Sequence, residues 1–253
     1  MIELDGLEVA HRLAPLSLRW EQPALVALIG PNGSGKSTLL HAAGGVLPAR
    51  GKVLIESTDL LALDVRAAAH IRAMLPQRLP HLISMPTQEV VRLGLCVHGA
   101  SESAALPVWQ HLMARLELTP LLARDFTLLS GGEQQRVLIA KTMLQIWPTL
   151  NPAARLLLLD EPLAGLDWHH QLQVLALLRE LVEAGIHVIC ALHDFNLALG
   201  HADALVCLQH GTLVRAGAMT QLDGTLLADV FKVQTRKLQA DGLQLYLPIG
   251  ITL

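Results

Sequence analysis

The chain has 253 residues, a formal net charge of −3, and 52% hydrophobic against only 16% charged residues. That length suits one large α/β domain with a sizeable core, and the weakly acidic balance excludes the basic footprint of a nucleic-acid binder. The longest apolar runs, such as Leu156–Leu159 and Val188–Leu192, fall short of the roughly 20 residues of a membrane span, and Glu3, Asp5 and Glu8 stand where a signal peptide carries cations.

The first 60 residues read as short strands separated by Gly and Pro: Ile2–Ala10, Leu16–Trp20, Ala24–Ile29 and Val53–Ile55. A helix from about Lys36 to Ala43 lies among them, stopped by Gly44-Gly45. From Asp64 to Ile146 the pattern is mainly helical, with breaks expected at Pro76, Pro80, Pro86, Gly99 and Pro107. Beyond it, strands alternate with helices: Arg155–Leu159, then helix Trp168–Glu183, strand His187–Leu192, helix Phe195–His201 and strand Leu205–Leu208. Continuously apolar strands in this alternation predict a parallel sheet covered on both faces. Gln209-His210-Gly211 and Thr212–Val214 predict a closing hairpin. Cys96, Cys190 and Cys207 form no CxxC pair and read as reduced thiols of a cytosolic protein. Adjacent His169 and His170 are expected on different helix faces, against a shared metal.

Gly30-Pro31-Asn32-Gly33-Ser34-Gly35-Lys36-Ser37 fits GxxxxGK[ST] at every fixed position, after a strand and before a helix. The glycines let successive N–H groups curl around phosphate oxygens, and the helix N-terminus adds positive charge. Lys36 is placed to reach the β- and γ-phosphates, and the Ser37 hydroxyl to bind Mg²⁺. The strand ending in Asp160-Glu161-Pro162 carries two carboxylates, and Pro162 stops the ladder. Strand C-termini face the ligand crevice in a doubly wound sheet. Asp160 is therefore expected to hold Mg²⁺ and Glu161 to polarise the attacking water. His193 follows another strand end, with Asp194 as the cap of the next helix. Ser130, with Glu133 three residues on, forms a capping box. Gly131 and Gly132 expose N–H groups at that positive helix end, which makes a second anion site.

Together these residues resemble the nucleotide-binding subunit of ABC transporters over almost the whole chain. Gly30–Ser37, with Thr38 after it, resembles the Walker A loop, and Leu156–Asp160 followed by Glu161 the Walker B strand. Leu129-Ser130-Gly131-Gly132-Glu133-Gln134 resembles the signature sequence. Gln77 resembles the glutamine that senses the γ-phosphate, contacts the metal and meets the permease. Ala164-Gly165-Leu166-Asp167 resembles the D-loop, and His193 the switch histidine. The resemblance implies a P-loop NTPase α/β fold, with a mostly parallel core sheet, an N-terminal antiparallel β subdomain and an inserted helical subdomain over about residues 78–146. One ATPase domain would span 1–253.

It further implies a homodimer closing head to tail over two ATP molecules with Mg²⁺. Ser130, Gly131, Gly132 and Gln134 would touch the partner's nucleotide, with Asp167 at the dimer. An integral-membrane permease dimer, fed by a periplasmic binding protein, would hold the subunit at the cytoplasmic face of the membrane. The adenine-stacking aromatic usual upstream of Walker A is missing: His11 and Arg12 stand in a shortened loop. The segment Arg12–Ser17 and the Pro-containing bridge Leu144–Ala153 resemble ATPases of bacterial cobalamin importers, of the type II importer class. Iron–siderophore or haem import is the alternative cargo. A non-transport ABC protein fits less well, since the chain has one phosphate loop, no heptads and no basic tract. Lys36, Asp160, Glu161 and His193 argue against an inactive regulatory module.

Overall fold

Short apolar strands broken by glycine build the first part of the chain. β1 (Ile2–Val9) buries Ile2 and Leu4, then Leu7 and Val9. The switch from even to odd positions needs an extra residue in the strand. It falls at Gly6, where φ is +58° and the register shifts against both neighbours. The neighbours are β2 (Leu13–Trp20) and β4 (Arg50–Ile55), both antiparallel to β1, with β5 (Thr58–Asp59) beyond β4. Between them in the chain come β3 (Leu25–Ile29), buried at every residue, and α1 (Lys36–Ala43).

This computed structural model describes residues 1–77, 84–240 and 243–251. It divides into two compact units, Met1–Leu60 with Ile189–Leu253, and Leu61–Val188. The second unit contains α2 (Val65–Ile71), β6 (Arg72–Leu75), α3 (Thr87–Arg92), α4 (Glu102–Arg115), α5 (Gly131–Ile146), β7 (Leu156–Leu159) and α6 (Trp168–Glu183). β8 (His187–Ala191) begins in it and ends in the first unit. The first unit then resumes with α7 (Phe195–His201), β9 (Ala204–Gln209), β10 (Thr212–Ala218), α8 (Gly224–Phe231), β11 (Val233–Ala240) and β12 (Leu243–Ile251).

In the first unit β3 and β9 are parallel, and β10 folds back antiparallel on β9. The two-residue turn His210-Gly211 has φ values of 50° and 73°, the backbone that twists correctly into a hairpin. β11 and β12 pair as a second hairpin, docked by Tyr246, which is buried and bracketed by both ends of the Asn196 amide. In the second unit β6 and β7 are parallel, with Leu75 opposite Leu159. α3 and α4 both pack on α5 there.

Three expectations need correction. Arg72–Leu75 is a strand, not part of a helical block, because its partner β7 supplies the ladder. Pro107 lies inside α4, not at a break. It forfeits only the bond to the Ser103 carbonyl, and both residues are exposed, so water replaces it. His169 and His170 do not diverge: both imidazoles reach Glu117, at 2.9 and 3.7 Å. Side chains this long at the first turn of a helix converge on one external carboxylate. The helical insertion expected over about 78–146 includes residues 78–83, which lie outside the described residues.

Candidate nucleotide site

The phosphate loop joins β3 to α1. Gly30 (φ +151°), Gly33 (φ +75°) and Gly35 (φ +104°) take positive-φ conformations that glycine adopts freely and other residues only at a cost. At Gly30 a Cβ would come within 2.3 Å of the Leu208 carbonyl oxygen and 2.5 Å of Ser34 Oγ, so space also demands glycine. No side chain caps α1, which leaves its first N–H groups to a ligand. Lys36, 5% exposed, donates to the carbonyls of Gly30 (2.8 Å) and Pro31 (3.1 Å), so its ammonium sits inside the loop.

Two turns back the loop. Gly211 donates its N–H to Ser34 O (2.9 Å) and accepts from Ala14 N–H (2.7 Å). A Cβ on Gly211 would come 2.4 Å from Arg12 O. The His11-Arg12 turn thus lies directly behind Gly35, and His11 itself takes φ +62°. Asn32 and Gly33 are exposed, while Ser37 and Thr38 lie half-buried on the first turn of α1. Leu192 N–H bonds to Leu28 O (3.1 Å), so the next residue, exposed His193, leaves beside the strand that feeds the loop. Asp194 caps α7 through the N–H groups of Asn196 and Leu197.

The second unit carries the carboxylates. Asp160 is 1% exposed, and its N–H bonds to Leu75 O (2.9 Å), one step past the β6–β7 ladder. Gln77 and Glu161 each lie two residues beyond the paired Leu75 and Leu159, and Gln77 Nε2 donates to Glu161 Oε2 at 2.8 Å. No local feature of the sequence gives these two residues a reason to meet. Glu161 holds φ +55°, a left-handed conformation costing on the order of 1 kcal/mol, a kind of strain that collects at functional positions.

Ser130 caps α5, and the capping box is complete: Glu133 Oε2 accepts Ser130 N–H (2.7 Å) and Oγ–H (2.8 Å). These bonds hold the Glu133 carboxyl below its usual pKa. No atom crowds Gly131, whereas Gly132 faces the Gly165 carbonyl, with 3.0 Å left for a Cβ. Gln134 Nε2 donates to Phe126 O (3.1 Å), within its own chain. Asp167 caps α6 and accepts from His170 N–H (2.9 Å) and Nδ1 (2.8 Å), which lowers its pKa.

Residues 13–164 match the family described as ABC transporter. The chain belongs to that family. It is an ATPase of the ABC type, and ATP is its nucleotide. It is 39% identical to the "Vitamin B12 import ATP-binding protein BtuD" of Vibrio atlanticus (strain LGP32), over 99% of this chain and 100% of that one. It is 36% identical to the "Hemin import ATP-binding protein HmuV" of Chelativorans sp. (strain BNC1), covering 93% of each. Its fold is like that of "a putative metal-chelate type ABC transporter" in an inward-facing conformation, at TM-score 0.78 and 24% identity, over 98% of this chain and 96% of that one. Among the described residues no helix is long and apolar enough to cross a membrane.

Proposed function

We propose that this ATPase powers the import of cobalamin. One observation carries the cargo: similarity from end to end to a vitamin B12 import ATP-binding protein. The short Arg12–Ser17 segment and the Leu144–Ala153 bridge agree with it. The whole chain acts as one ATPase domain.

In this reading the loop Gly30, Pro31, Asn32, Gly33, Ser34, Gly35, Lys36, Ser37 and Thr38 holds the phosphates of ATP. Backbone N–H groups and the buried Lys36 ammonium are pre-placed for negative charge, so little reorganisation is needed. Ser37, Gln77 and Asp160 would hold Mg²⁺. A hydroxyl, an amide oxygen and a carboxylate are hard oxygen donors, and Mg²⁺ takes few protein ligands beside phosphate and water. When bound, the ion neutralises charge on the phosphates. Glu161, which accepts a hydrogen bond from Gln77, orients and polarises the attacking water. His193 meets the γ-phosphate.

The working form is a homodimer with composite sites, in which Ser130, Gly131, Gly132 and Gln134 of one chain complete the site of the other and Asp167 lies at the junction. A membrane-embedded permease dimer presses on the surface from Gln77 to Leu95, of which residues 78–83 lie outside the described residues. A periplasmic binding protein delivers cargo to that permease, and the ATPase rests on the cytoplasmic face of the membrane.

Haem is the second reading, favoured by the similarity to the hemin import protein. Deleting the gene in a strain dependent on external cobalamin separates the two. Loss of growth on limiting cobalamin is expected. Unchanged growth there, with growth lost on haem or ferric siderophores, overturns the assignment.

A further inference from the structure

The second unit contains a cross-connection that the nucleotide chemistry leaves unexplained. Residues 84–88, which follow Gln77 in the chain, run alongside residues 122–127, which lead into the signature helix. Three main-chain bonds tie them: Thr87 N–H to Arg124 O (2.9 Å), Gln88 N–H to Leu122 O (3.0 Å) and Phe126 N–H to Met85 O (3.0 Å), the first and last of which make Pro86 and Asp125 an antiparallel bridge. Thr87 is fully buried, and its hydroxyl also donates to Arg124 O (2.9 Å).

Asp125 sits at the centre of this crossing. One carboxylate oxygen accepts from the Ser84 hydroxyl. The other accepts from the N–H (2.8 Å) and hydroxyl of Thr127. Asp125 therefore caps the helical turn Phe126–Leu128, which delivers the chain to Ser130. From there the connection reaches the signature by two routes. Phe126 O accepts from Gln134 on the first turn of α5 (3.1 Å). Arg124 faces Glu133 Oε1 at 3.7 Å, and the other oxygen of Glu133 fixes the Ser130 N–H and hydroxyl.

We propose that Asp125 is a positioning residue. It locks the Ser130-Gly131-Gly132 end of α5 to residues 84–88, so that displacement of those residues is transmitted to the signature. The inference rests on the composite-site reading given above. It explains why a half-buried aspartate spends both oxygens on two separate stretches of chain. Capping alone would use one. The chain of contacts is continuous, short and polar at each step, the arrangement through which coupling between sites travels.

The test uses the purified full-length chain with Mg-ATP. Asp125→Asn weakens both contacts, and Ser84→Ala removes only an exposed hydroxyl, a change the fold tolerates. Each is expected to lower kcat about fivefold, with ATP affinity of the dilute, monomeric chain unchanged. Half-maximal specific activity should require a higher chain concentration, which a purely structural cap would not demand. The double variant should be no worse than Asp125→Asn alone, because the two residues act as one unit. Unchanged kcat in both variants overturns the proposal, as do multiplicative effects in the double. Ser130→Arg separates this failure from failure of the reading beneath it. If Ser130→Arg blocks hydrolysis but Asp125→Asn does not slow it, only the positioning role falls. If Ser130→Arg hydrolyses normally, both fall.

Discussion

Burial of His187 makes the fold acid-sensitive by a calculable amount. His187 opens β8 at 3% exposure, and its Nδ1 has no hydrogen-bond partner among the described residues. Desolvation pulls its pKa from 6.5 to about 4. The unfolded chain thus takes up a proton near pH 6.5 that the folded chain refuses until near pH 4. A depressed histidine pKa contributes stability above pH 6.5 that is lost as pH falls from 6.5 toward 4. Over the whole gap the loss is about 3 kcal/mol, and between pH 7 and pH 5 about 2 kcal/mol. His187→Leu keeps a residue of similar size at the head of a buried strand and removes the titration. Urea unfolding of both proteins at pH 7 and pH 5 gives a double difference in which all other titrating groups cancel. The native chain should lose about 2 kcal/mol more than the variant. Equal losses, within about 0.5 kcal/mol, would refute the argument.

Three further outcomes are expected. Glu161→Gln should keep ATP binding and nearly abolish turnover, since the amide retains size but not the charge that polarises water; hydrolysis near the native rate removes Glu161 from its role. ATP should be preferred over GTP by less than roughly a hundredfold, about 2.7 kcal/mol, because only His11 and Arg12 stand where an aromatic would stack; steady-state rates with both nucleotides decide it. Gly211→Ala should cost about 2–3 kcal/mol and weaken ATP binding, since the new Cβ would fall 2.4 Å from Arg12 O at φ +73° and push the turn that holds Ser34. Thermal unfolding and nucleotide titration of the variant check both parts.

Features governed by neighbouring residues were determined by the sequence itself. The phosphate loop follows from glycines whose positive φ costs any residue with a side chain. The bounds of α6 and α7 follow from Asp167 and Asp194 as caps, and the capping box of α5 from Ser130 and Glu133. Long-range pairing was not legible. Arg72–Leu75 is short, follows a helix directly and becomes a strand only because β7 lies beside it. That register alone brings Gln77 to Glu161, from 84 residues away. The meeting of both histidines at Glu117, and of Ser84 with Asp125, likewise depends on where distant segments pack. Capping and turn chemistry act within a few residues and leave a local signature. A strand's partner, and the side chains aligned beyond its end, are fixed by burial and hydrogen bonding across the fold, which no local window of sequence contains.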